Sequence, residues 1–171
     1  MTTDEKHPEG TGRGRLLRSR TLGEILETAM SFERTARDFY AGLKDRVNES
    51  LRGLVGELAD EEARHLRLFE ELAARPDVSA RIAERIAPPA NDHRFSAYVH
   101  LPDLGENPDA RAVLQYAMGR EHAAVEQYRS LADELPAGAI RDLFLYLARE
   151  ELQHRQELER RYQALVFPSA V

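Results

Sequence analysis

The chain has 171 residues, 42% of them hydrophobic and 32% charged, with a formal net charge of -6. That length suits one domain with a sizeable core, the acidic balance disfavours nucleic acid or an anionic membrane as partner, and no apolar run approaches the roughly 20 residues of a bilayer span. With no cysteine at all, disulfides, thiolate metal sites, rubredoxin-type iron and thiol catalysis are excluded; with no signal-like apolar stretch at the N-terminus, a cytoplasmic location is expected.

Residues 1–20, "MTTDEKHPEGTGRGRLLRSR", hold Gly, Thr and basic residues without a sustained period and read as a flexible basic tail. Its arginines, Arg13, Arg15, Arg18 and Arg20, suit solvent better than an acidic partner. From Thr21, with Thr21 or Ser19 as cap, a helix is predicted to about Val47. Its stripe is Leu22, Leu26, Ala29, Glu33, Ala36, Tyr40, Leu43 and Val47, with Glu33 the only charged member. After the "NES" break a second helix runs to Arg75 and Pro76, and so short a connection makes the two antiparallel neighbours. Its stripe is Leu51, Val55, Leu58, Glu62, His65, Phe69 and Leu72, an apolar seam with two polar members.

Residues 76–107, with Pro76, Pro88, Pro89, Pro102 and Gly105, read as a crossover that has room for a short helix over "SARIAERIA". Within it "HRFSAYVHLPDLG" has the apolar character to cover the bundle or to meet a second subunit. Asn107 is read as an N-cap and Pro108 as the first residue of a third helix, which runs to about Leu135. Its stripe is Ala110, Leu114, Ala117, Glu121, Ala124, Tyr128, Leu131 and Leu135. Pro136 to Gly138 break the chain, and a fourth helix follows from Ala139 to about Leu165, with residues 166–171 as a short tail. Its stripe, Ile140, Phe144, Leu147, Glu151, His154 and Leu158, repeats the glutamate and histidine three residues apart. The fold expected is all-α, a four-helix bundle over residues 21–165.

The chain is internally duplicated. Glu33 and Glu121 are 88 positions apart, Glu62 and Glu151, like His65 and His154, 89, and "ERTARDFY" answers "EHAAVEQY". Residues equidistant from the turn of an antiparallel hairpin lie at one level, so all six side chains should meet in one layer. Four buried carboxylates there cost several kcal/mol per uncompensated charge, or rise in pKa. Two divalent metals would carry +4 against -4, and the i, i+3 spacing sets each Glu-x-x-His pair on one helix face, about 60° apart. An oxygen-rich set with one imidazole per ion suits iron, or manganese, with zinc or copper as adventitious occupants. The plainer alternative is a buried polar network that fixes helix register; the duplication of costly buried carboxylates counts against it.

Through "SFERTARDFY", "ADEEARH", "GREHAAVEQY" and "REELQH" the chain resembles the ferritin-like di-iron proteins over about residues 21–165, and among them rubrerythrin-type domains most. The resemblance implies a ferritin-like bundle of two antiparallel hairpins joined by a long crossover. It implies two iron ions per chain, bridged by Glu62 and Glu151, with Glu33 and Glu121 as terminal ligands and His65 and His154 each on one ion. Two departures stand out: the further carboxylate usual one turn after the third-helix glutamate is replaced by Ala124, and no rubredoxin-type domain is present. The six-residue set is closer in composition to bacterioferritin-like ferroxidase centres. Ala63 and Arg64 stand where a haem-binding methionine would be, so no haem is expected.

Of the remaining residues, Tyr40 and Tyr128 are read as core side chains with hydrogen-bonded hydroxyls, a role beside a ligand carboxylate or in electron relay being the lesser reading. Glu61 and Glu150 are surface charges unless one accepts the second ring N–H of a ligand histidine across the bundle. His122 lies off the stripe and is expected to be partly exposed; His7, His93 and His100 have no metal spacing with one another. The activity expected is reduction of hydrogen peroxide or dioxygen with oxidation of Fe(II), in a homodimer served by a separate electron-donor protein. Two rival readings are an iron-storage subunit of a shell and a metal-stabilised scaffold without catalysis.

Overall fold

The computed structural model describes residues 21–84 and 104–168. Five helices lie among them: α1 Leu22–Leu43, α2 Glu49–Ala74, the four-residue α3 Pro76–Ser79, α4 Ala110–Glu134 and α5 Ala139–Val166. No strand occurs among the described residues. The basic tail, the final residues 169–171, and His7, His93 and His100 lie outside them.

Each long helix starts where its sequence supplies a cap or a special backbone. Thr21 closes a capping box with Glu24, its hydroxyl accepting from Glu24 N at 3.1 Å while Glu24 Oε2 accepts from Thr21 N at 3.0 Å. Asn48 caps α2, so "NES" is not a break but a cap followed by the first helical residues. The cap of α4 is Asp109, whose carboxylate accepts from Ala112 N at 2.8 Å, and not Asn107; the side chain three residues before the orphan N–H takes the role, and Pro108 stays outside the helix. Gly138 opens α5 with φ +151°, a backbone that residues with a side chain rarely adopt.

The predicted short helix over "SARIAERIA" is not formed in its described part. Proline at the first helical position starts α3 earlier, and residues 80–83 continue as turns before the irregular Glu84. Their carbonyls are used elsewhere: Glu84 O accepts from Leu22 N and Ile82 O from Gly23 N, both at 2.9 Å, which satisfies two first-turn donors of α1. Gly23 makes the approach possible, since a Cβ there would lie 2.7 Å from Ile82 Cγ1. At the other end of α1, the Arg46 guanidinium donates to the carbonyls of Glu106 and Gly105. The described residues that precede the crossover therefore lie beside the start of α1, and those that follow it lie beside its end.

α1 packs on α2 and α4 on α5 as two antiparallel hairpins. The apolar core is split in two. One cluster joins the start of α1 to the end of α2, the second half of α4 and the start of α5, through Leu22, Leu26, Phe69, Tyr128, Phe144 and Leu147. The other joins the opposite ends, through Tyr40, Leu43, Val55, Leu58, Leu114 and Leu158. Every stripe position read from the sequence is buried except Ala110 and His154, which are half-buried.

Candidate metal centre

Between the two apolar clusters lies the polar layer. Glu33 from α1, Glu62 and His65 from α2, Glu121 from α4 and Glu151 from α5 are buried, and the His154 side chain is 16% exposed. Equal distance from each hairpin turn puts them at one depth, as the spacing requires. Their donor atoms fall into two groups that could each hold an ion: Glu33, Glu62, His65 and Glu151, and Glu121, Glu151 and His154, with all atoms of a group within 4.8 Å of one another. Glu151 belongs to both groups, whereas Glu62 falls only in the first.

His65 Nδ1 is 2.9 Å from Glu151 Oε1 and 3.8 Å from both Glu33 Oε2 and Glu62 Oε2. The 2.9 Å contact lacks the alignment of a hydrogen bond, and both oxygens of Glu33, both ring nitrogens of His65 and Oε2 of Glu151 have no hydrogen-bond partner. Orphaned polar atoms this deep are costly unless a cation gathers them. On the other side, His154 Nδ1 is 3.4 Å from Glu151 Oε2, and the two imidazoles lie nearly parallel with centroids 5.8 Å apart.

The electrostatics point the same way. Burial, then the charges of Glu62, Glu151 and other neighbours, push Glu33 well above the usual carboxylate range. Burial, then Glu151 and Glu62, do the same to Glu121. Burial opposes the charge of Glu151, but contacts with Glu121, His154 and His65 overcome it and hold that carboxyl low. Burial also opposes a charged His65, yet Glu151 and Glu62 push it up to about 9. Without an ion, protons must neutralise the layer; two divalent ions would replace them with matched charge. The donor set fits a pair of oxygen-preferring transition ions.

Around the donors, the Tyr40 hydroxyl donates to Glu121 Oε1 at 3.3 Å, and burial foremost keeps that phenol protonated. Tyr128 is equally buried but its hydroxyl has no partner. Glu61 Oε2 lies 3.2 Å from His154 Nε2, while Glu150 pairs with Arg64 at 3.0 Å. His122 is half-buried, with Nδ1 3.2 Å from Arg155 Nη1. The stripe passes over Arg120, whose guanidinium lies over the rings of Phe32 and Phe39 at 5.2 and 5.7 Å and whose charge bears on Glu121. The one sequence signal for it is its position: the repeat places Arg120 where the first half has Phe32.

A protein-family model described as Rubrerythrin matches residues 24–97 and 112–168, more than half of the chain. No curated protein matches the chain, and no solved structure does.

Proposed function

The chain belongs to the rubrerythrin family, and on that footing we propose that it is a di-iron redox protein that reduces hydrogen peroxide or dioxygen with oxidation of Fe(II). The observation that supports this best is the set of converging, orphaned donors in a layer between two apolar clusters. Glu33, Glu62 and His65 would hold one ion and Glu121, Glu151 and His154 the other. Iron is the expected metal, manganese the nearest alternative and zinc an adventitious occupant.

When bound, two ferrous ions would supply one electron each, the two electrons that, with two protons, reduce hydrogen peroxide to two waters or dioxygen to hydrogen peroxide. The chain's own groups set the conditions. Apolar clusters close the layer toward both ends of the bundle. Tyr40 fixes one oxygen of Glu121 and leaves the other to turn toward the centre. Glu61 lies 3.2 Å from the His154 nitrogen remote from the centre, near enough to steer the ring by its charge. With no cysteine in the chain, the returning electrons would come from a separate donor protein, and a homodimer is the assembly proposed.

The test is stopped-flow mixing of the Fe(II)-loaded protein with hydrogen peroxide or dioxygen. Oxidation should be fast in the wild type and at least ~10-fold slower in Glu62→Ala and His65→Ala, with helical content retained by circular dichroism. Oxidation no faster than that of free Fe(II), or unchanged in both variants, would overturn the reading.

A further inference from the structure

The repeat that builds the centre is not carried through to its surroundings. Glu61 and Glu150 occupy the same place in the two halves, each directly before the glutamate of a Glu-x-x-His turn. Glu61 reaches His154 Nε2 at 3.2 Å. Glu150 does not reach His65, because Arg64 takes it at 3.0 Å; the counterpart of Arg64 in the other half is the neutral Gln153. His65 Nε2 is left without a partner.

Solvent access is broken in the same sense. The His65 side chain is 0% exposed and that of His154 16%. His154 floors a cleft between α2 and α5 with a cavity volume of about 100 Å³, lined also by Leu54, Glu57, Glu61, Glu157 and Arg161. Three carboxylates line it against one guanidinium, and Arg161 is engaged by Glu157 at 2.9 Å and Glu57 at 3.6 Å. Such a cleft has room for several waters, and so for a partly hydrated ion, and its negative potential favours a divalent cation over an anion.

We propose that the two metal positions are inequivalent: the Glu121, Glu151 and His154 position exchanges its ion with solvent through this cleft, and the Glu33, Glu62 and His65 position fills and empties only by way of it. Glu61 is the transit group, lining the cleft and close enough to His154 to pass an incoming ion from the one to the other. The inference rests on the two-metal reading above and extends it to how the ions arrive.

Co(II) is the probe, its uptake followed by visible absorbance in the full chain and its release by excess chelator. Two equivalents per chain should load, and on chelation one should leave at least ~10-fold faster than the other. Anomalous scattering from crystals of the half-stripped protein should place the retained ion beside His65. Glu57→Lys at the cleft mouth should slow uptake several-fold, most at low ionic strength, and Glu57→Gln should slow it less. Glu126→Lys, the same charge change at an exposed position that does not line the cleft, should leave uptake unchanged. Release in a single phase, a retained ion beside His154, or equal slowing by both lysine variants would overturn this proposal alone. Failure to bind Co(II) at all would overturn the two-metal reading, and this one with it.

Discussion

Tyr40 and Tyr128 are counterparts in the repeat, yet only Tyr40 has a hydroxyl partner, Glu121. Tyr40→Phe should therefore weaken Co(II) affinity roughly 10-fold, the scale of a lost contact to a ligand. Tyr128→Phe removes an unpaired buried hydroxyl and should leave affinity within about twofold and stability unchanged or raised. Competition titration with a coloured chelator measures both, and equal losses would contradict the assignment. His65 gives a pH signature. Its pKa is raised from 6.5 to about 9 in the ion-free layer, so the stability it lends is complete below pH 6.5 and is lost as pH rises through about 9. Glu33 and Glu121 are raised too and act in the same direction. Glu151, held low, contributes steadily across that window. Calorimetry in chelator should show the Tm falling by several degrees from pH 6.5 to 9, and Co(II) should abolish the fall by replacing the protons. A Tm that is flat or rises in chelator would contradict this. The six residues of the polar layer were legible because each interrupts an apolar stripe at matching depth. What the stripes could not show is which of Glu61 and Glu150 meets a histidine, since that depends on Arg64, a residue on another helix, winning the competition for Glu150.

Among the elements, Gly23 and Gly53 separate packing from propensity. Both are helical, but a Cβ on Gly23 would lie 2.7 Å from Ile82 Cγ1 and 3.1 Å from Ile82 O, while nothing lies within 4 Å of one on Gly53. Gly23→Ala should destabilise by about 1–3 kcal/mol, because it drives the crossover off the first turn of α1. Gly53→Ala should stabilise by about 0.5–1 kcal/mol through helix propensity alone. Urea unfolding gives both signs, and a stabilising Gly23→Ala would contradict the docking of residues 82–84 on α1. The four long helices could be read in the sequence to within a few residues because apolar periodicity and capping residues agree. The misreadings fall where a local rule met a tertiary one. "SARIAERIA" has helical composition, but its described carbonyls are drawn to the N-terminus of α1, and Asp109 took a cap that Asn107 and Pro108 advertised.

In the whole molecule, two apolar clusters are separated by a layer of four carboxylates and two imidazoles. Such a layer is a liability for a bare bundle and would be a source of cohesion if cations held it, so metal binding would be thermodynamically linked to folding. The duplication made this architecture legible, because one set of spacings had to serve both hairpins. The asymmetry between the halves was not legible, since it comes from unlike neighbours such as Arg64 and Gln153. The central claim, that this layer is a catalytic di-iron centre, is tested most directly by anaerobic titration of the metal-free protein with Fe(II), followed by oxidant and a count of the iron each chain retains. Retention of about two ions per chain, the number the paired donor groups require, is the result expected. Retention far above two would make the chain part of an iron store, and no retention would return the six residues to a polar network that only fixes the register of the helices.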